Sequence, residues 1–357
     1  MIAQKNHPTQ SMNKRSFLTT LGLLTATGPF LGIDFAKLED KTTTQLLPNA
    51  LLRGQTVGII SPSAAITGTM EITAKEGMKA LGLKVKMGKY YKNRYGHLAG
   101  TDEERAADFN DMFADPEVKA IICLRGGSGA ARILPLIDYD LVKANPKPLL
   151  GHSDVTALQC ALFCQAGLIS FHGPNGSSSW NDFHINQFQQ LFFEQNLLTF
   201  KNEKETAASL DTDTIQIKTL HPGIVDGKIL GGNLSVLSNL SGTPYYPDFQ
   251  DAILFIEDVG ELPYRIDRMM STLKLNGTLG KIKGFVFGQC SDCKPTNGSF
   301  SVDQIIEHYI LPLGIPAFIG AMIGHIPKQF ILPVGANVQL NANLGTITML
   351  ENVFKKS

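Results

Sequence analysis

Beyond a polar stretch ending near residue 49, apolar runs of strand length alternate with segments whose apolar positions recur at helical spacing. Residues 56–60 are a β-branched run closed by Ser61-Pro62-Ser63, 70–81 carry a helical pattern, and Leu83, Val85 and Met87 alternate as in a strand. Thr101-Asp102-Glu103-Glu104 predicts a capping box, with the threonine hydroxyl and the Glu104 carboxylate satisfying free amides at the start of a helix to about 113. A strand at 119–124, a glycine-rich turn at 125–129, a helix at 130–136, a strand at 148–150, a helix from 154 and a strand at 168–171 complete the series. Continuous apolar runs separated by helices are strands buried on both faces, hence parallel. Residues 50–180 are therefore predicted to form a doubly wound α/β domain of flavodoxin-like character.

From 181 to 222 the pattern loses its period and reads as a connector. A smaller mixed α+β domain is predicted over 223–357, with strands at 252–256 and 284–288, helices at 264–275 and 302–310, and β-type segments at 338–340 and 346–350. Residues 1–49 read as a leader and polar linker. Met12-Asn13-Lys14-Arg15-Ser16-Phe17-Leu18 sets a basic pair before a weakly apolar run to residue 33, the order of an export signal, with Lys14 where a twin-arginine leader has its first arginine. The expectation is a periplasmic protein that meets the membrane only through an uncleaved leader; the alternative is a cytoplasmic one.

Composition narrows the function. The 357 residues hold 32 Lys plus Arg and 32 Asp plus Glu, a net charge of zero that argues against a nucleic-acid partner, whose phosphates demand a basic surplus. The 5 cysteines are too sparse for a disulfide framework, and Cys290-x-x-Cys293 lacks the second ligand pair of a structural zinc site. No metal is expected, and export would leave an oxidised Cys290–Cys293 pair open.

In parallel α/β sheets, ligands gather at the carboxyl ends of strands. Gly151-His152-Ser153-Asp154 lies there, between a strand and a helix, where a serine is exposed and the helix start favours developing negative charge. Arg125-Gly126-Gly127-Ser128-Gly129 occupies the same kind of junction, and its glycine amides suit an oxyanion; Ser128 is a competing nucleophile. Serine needs a base and a group to orient it. Of the 8 histidines, His172 and His325 sit at structured junctions outside turns, helices and the leader, and Glu257 closes an apolar run as the candidate carboxylate.

Six blocks occur in order: Arg125-Gly-Gly, Gly151-His-Ser-Asp-Val-Thr156, His172-Gly-Pro174, Gly231-Gly-Asn-Leu-Ser235, Glu257-Asp-Val-Gly-Glu261-Leu-Pro-Tyr-Arg265-Ile-Asp-Arg268 and Gly324-His325. Together, over about 54–350, they resemble the LD-carboxypeptidase family of serine peptidases, which includes muramoyltetrapeptide carboxypeptidases and microcin C immunity peptidases. The resemblance implies Ser153 as nucleophile, His325 as base and Glu257 as the acid that orients it. It also implies release of the terminal D-Ala from peptidoglycan tetrapeptides through an acyl-enzyme, without a cofactor. Backbone amides of Gly127 and Asp154 are the expected oxyanion hole. Arg265 and Ser128 are candidates for substrate contact, with an ion pair to Glu261 or Asp267 the other reading of Arg265. Family resemblance also suggests a homodimer. Two alternatives stand beside it: an amidase for peptidyl-nucleotide conjugates, in which Trp180 stacks on a base, and a non-catalytic exported binding protein.

Overall fold

The computed structural model describes residues 45–203 and 215–355, so the predicted leader lies outside the described residues. Five strands form first in chain order: β1 (Thr56–Ile60), β2 (Lys84–Met87), β3 (Val118–Cys123), β4 (Leu149–Gly151) and β5 (Ser170–His172). They run parallel in the order 2-1-3-4-5. The chain's direction across the sheet therefore reverses between β1 and β3, the place where an open parallel sheet leaves a crevice at its carboxyl end. In β3 only Lys119 is exposed, as expected of a strand covered on both faces. The capping box forms as read: Glu104 N donates to Thr101 Oγ1 at 3.3 Å and Thr101 N to Glu104 Oε2 at 2.9 Å, opening the Asp102–Ala114 helix.

The remaining strands are β6 (Thr199–Phe200), β7 (Lys218–His221), β8 (Ile224–Asn233), β9 (Ile253–Val259), β10 (Gly284–Ser291), β11 (Ala317–Ile319), β12 (Leu332–Val334), β13 (Asn337–Asn341) and β14 (Thr346–Met349). All but β12 make a second, mixed sheet in the order 6-14-13-8-9-10-11-7, with β8 to β11 parallel at its centre. β12 instead pairs antiparallel with β5 and extends the first sheet to six strands. Mixed α/β architecture with two sheets is as expected, while several elements differ from the sequence reading.

Within the stretch expected as a connector, residues 181–203 are structured. Asn181 caps the Asp182–Phe188 helix by accepting from His184 N at 3.1 Å, and the helix buries His184 and Phe188 before a wider turn through Phe193. Its aromatic run has no helical period because several of its faces pack at once. A short helix, Tyr139–Ala144, was also missed; its Asp138 cap accepts from Leu141 N at 2.9 Å. Finally, β9 does not stop at residue 256 but continues through Val259, pairing Glu257 with Asn233 of β8 and Asp258 with Cys290 of β10. Carboxylates are rare in central strands, and these two persist because each is bonded to a side chain described below. Cys290 and Cys293 are joined in a disulfide at the end of β10.

Candidate active site

At the carboxyl end of β4 the chain turns sharply. His152 is extended, and Ser153 sits at φ 66°, in the left-handed region that side-chain-bearing residues rarely adopt. Such a residue costs on the order of 1–3 kcal/mol and persists only where its surroundings over-determine it. Here the surroundings are the glycine-rich loop after β3. A Cβ on Gly126 would lie 2.8 Å from Ser153 Cβ and 3.0 Å from its Oγ, so only glycine lets the two turns meet. Asp154 locks them together, its carboxylate accepting from Ala130 N at 2.8 Å. The buried Arg105 guanidinium then ties the loop after β1 to the same place, donating to the carbonyls of Pro62 and, at 2.9 Å, Gly129. Gly127, exposed and at φ 112°, packs so closely on Ala64 that a Cβ would come within 2.5 Å of the Ala64 Cβ. Its amide makes no hydrogen bond among the described residues and is free to donate.

The buried carboxylate and its histidine lie at the second sheet. Glu257 is fully buried in β9, and His325 Nδ1 donates to its Oε2 at 2.8 Å. Gly324, at φ 124°, allows this approach: a Cβ there would lie 3.1 Å from the same oxygen. The His325 carbonyl accepts from Ser291 Oγ at 2.9 Å, inside the disulfide-closed turn. Neighbouring Asp258 is held by Ser235, from N at 2.9 Å and Oγ at 2.7 Å, and by Asn233 Nδ2 at 3.0 Å. Burial pulls the His325 pKa down, but the hydrogen bond and charge of Glu257, with the charge of Asp258 behind it, outweigh that and hold it above the ordinary histidine value. The Nδ1 proton is thereby fixed, leaving Nε2 as the basic atom.

Two further histidines line this junction, and both are held neutral by their surroundings. The His152 ring packs edge-on to His325 with centroids 4.8 Å apart, while its Nδ1 lies 3.0 Å from the Gly173 carbonyl. Burial, then the charge of His325, push its pKa well below the ordinary value. His172 is fully buried and has no hydrogen-bond partner on either ring nitrogen among the described residues, and burial followed by the charge of His325 pushes it down to about 3. Both are neutral walls around His325.

The two sheets are joined at the Gly231-Gly232-Asn233 block. Asn233 N donates to Thr156 Oγ1 at 3.0 Å, in the first turn of the helix that follows Ser153. Gly232 has φ 139°, and a Cβ there would meet Thr156 Oγ1 at 2.4 Å and Cγ2 at 2.6 Å. We expect Gly232→Ala to lower stability by about 2 kcal/mol or more in urea denaturation and to reduce turnover, because the Thr156 helix must move to admit the methyl group. Wild-type stability in that variant would contradict this account of the junction.

The structure thus brings Glu257 and His325 into direct contact and sets the Ser153 turn beside them through the His152 ring. No hydrogen bond joins Ser153 Oγ to His325 among the described residues; such bonds are often long in unliganded enzymes. Ser128 is exposed and makes none. Arg265 is half exposed and pairs with Glu261 at 3.5 Å, the ion-pair reading of that residue. Trp180 packs over Gly77, where a Cβ would lie 2.3 Å from its ring, and donates from Nε1 to the Gly176 carbonyl at 3.1 Å, so it is a packing residue and not a free stacking platform. Sequence reading missed His152 as a partner of His325, and Asn175, whose side chain accepts from His152 N at 3.2 Å. The His-Ser adjacency in the turn was the available signal for the former.

A serine on a left-handed turn at a parallel-strand end, next to a histidine ring that packs on a carboxylate-bound histidine, fits a serine-type hydrolase. Models of the LD-carboxypeptidase N-terminal domain and C-terminal domain match residues 57–173 and 226–340. The chain belongs to the LD-carboxypeptidase family and is a serine-type hydrolase of that family. It is 38% identical over 296 residues to a probable murein peptide carboxypeptidase of Bacillus subtilis strain 168, covering 82% of this chain and 91% of that one. Among solved structures, MccF in complex with glutamyl sulfamoyl guanosine superposes with a TM-score of 0.79 at 25% identity, covering 87% of this chain and 100% of that one. A muramoyltetrapeptide carboxypeptidase from Oxalobacter formigenes gives 0.71 at 29% identity, covering 83% and 98%.

Proposed function

We propose that this protein removes the terminal D-Ala from peptidoglycan tetrapeptides by hydrolysing the amide that joins it to the L-centre of the third residue. The observation that carries the reading is the buried Glu257 holding His325 Nδ1 at 2.8 Å, beside the strained Ser153 turn. Ser153 Oγ attacks the scissile carbonyl as His325 Nε2 takes its proton, and Glu257 stabilises the imidazolium. The oxyanion receives hydrogen bonds from the amides of Gly127 and Asp154, each worth about 3 kcal/mol in comparable sites. His325 returns the proton to the leaving amine of D-Ala, and a water, deprotonated by the same nitrogen, cleaves the Ser153 ester and frees the tripeptide acid. The names of the relatives favour a murein substrate, and the packed Trp180 favours it over a nucleotide conjugate.

The parallel order 2-1-3-4-5 supports the flavodoxin-like description of the nucleophile-bearing layer. Export to the periplasm is part of the proposal, supported by the Cys290–Cys293 disulfide, since such bonds persist in oxidising compartments. So is a homodimer, to be checked by light scattering.

The test is mass spectrometry of a disaccharide tetrapeptide incubated with the protein, alongside an aminoacyl sulfamoyl adenosine. Loss of one alanine from the tetrapeptide is the expected result. Cleavage of the sulfamoyl conjugate alone would move the assignment to the immunity-peptidase branch.

A further inference from the structure

The glycine-rich loop opens with a cation that the fold leaves without a counter-ion. Arg125 follows the end of β3 and is half-buried, and its Nη1 donates to the Ala65 carbonyl at 3.0 Å. No carboxylate lies within ion-pair distance of it among the described residues, whereas Arg105 and Arg132 pair with Asp102 and Arg265 with Glu261. Removing a guanidinium from water without a partner carries a cost, so a half-buried unpaired one is poised for a ligand of opposite charge. Its anchor is rigid. Ala65 is buried, and its own amide donates to the His97 carbonyl at 2.9 Å.

Position identifies the ligand. Arg125 is next to Gly126, which lies against Ser153, and two residues before Gly127, whose amide is free. The carbonyl that anchors Arg125 belongs to the residue after Ala64, and Ala64 packs on Gly127. The cation and the oxyanion amide therefore share the crevice between the β1 and β3 loops. A carboxypeptidase substrate carries its terminal carboxylate one residue beyond the scissile carbonyl, so the group that binds it belongs in the same crevice as the oxyanion amide. We propose that Arg125 binds the carboxylate of the leaving D-amino acid and so restricts the enzyme to chain ends. One guanidinium nitrogen is occupied by Ala65, and the remaining donors suit a carboxylate fork. This assignment rests on the carboxypeptidase reading above.

The experiment compares kcat/KM for a murein tetrapeptide with a free terminal carboxylate and for its C-terminal amide. The wild type is expected to prefer the acid strongly. Arg125→Gln removes the charge; it should lose about 100-fold on the acid relative to the amide. Arg125→Lys should restore part of the preference. Thermal melting and fluorophosphonate labelling of the nucleophile check that each variant is folded. An unchanged acid-to-amide ratio in Arg125→Gln, with a wild type that cleaves the acid, overturns this assignment alone. The same holds if Arg94→Ala, at the exposed arginine whose Nη2 lies 3.5 Å from the Ile66 carbonyl, abolishes the preference instead. A wild type that cleaves neither peptide overturns the carboxypeptidase reading and this assignment with it.

Discussion

Ser153→Ala is expected to fold with wild-type circular dichroism and to lose at least about 10³-fold in kcat for D-Ala release, more than 4 kcal/mol of transition-state stabilisation. The size follows from what is removed. In the proposed mechanism the Oγ is the atom that bonds to the substrate, and the strain at φ 66° exists to aim it. Ser128→Ala should change kcat less than threefold, because Ser128 is exposed and bonded to nothing among the described residues. A chromatographic assay for free D-Ala separates the outcomes: an inactive Ser128→Ala beside an active Ser153→Ala would move the nucleophile to the glycine-rich turn and contradict the account.

Glu257→Gln should produce the second large loss, on the order of 10²- to 10⁴-fold in kcat. A neutral amide can hydrogen-bond the imidazole, yet it does not stabilise the imidazolium and no longer selects the tautomer with the proton on Nδ1. The pH profile gives this variant a signature that misfolding would not. His325 acts as a base only when neutral, and its pKa stands above the usual histidine value through Glu257. Wild-type kcat/KM should therefore fall as pH drops through a midpoint above about 6.5. Removing the Glu257 charge lowers that pKa, so the acid limb of Glu257→Gln should move to lower pH even as its ceiling falls. A limb that stays in place in the variant would detach Glu257 from His325.

Much of the first sheet was legible from local pattern: β1 at residues 56–60 is a nearly apolar run, β2 alternates, and the helix at 102 follows from its capping box. The second half was less so. β12 joins a sheet whose other strands lie more than 150 residues earlier in the chain, so no local pattern announces its pairing. β9 was cut short at the first carboxylate because the bonds that sustain Glu257 and Asp258 come from His325, Asn233 and Ser235, all distant in sequence. The site shows the same division. Ser153 could be suspected from its turn, but Glu257 and His325 are 68 residues apart and gained their roles only from the ordered motif blocks. Neither composition nor spacing could show that Gly126, Gly232 and Gly324 are the contacts that let these pieces meet.

The central claim is that Ser153, activated by the His325–Glu257 pair, is the nucleophile. Labelling the native protein with a fluorophosphonate, followed by peptide mapping and a parallel D-Ala release assay, tests it most directly. The account predicts a single phosphonylated residue, Ser153, with activity lost in proportion to labelling and a labelling rate that falls at acid pH with the His325 titration. Label on Ser128, or full D-Ala release by completely phosphonylated protein, would contradict it.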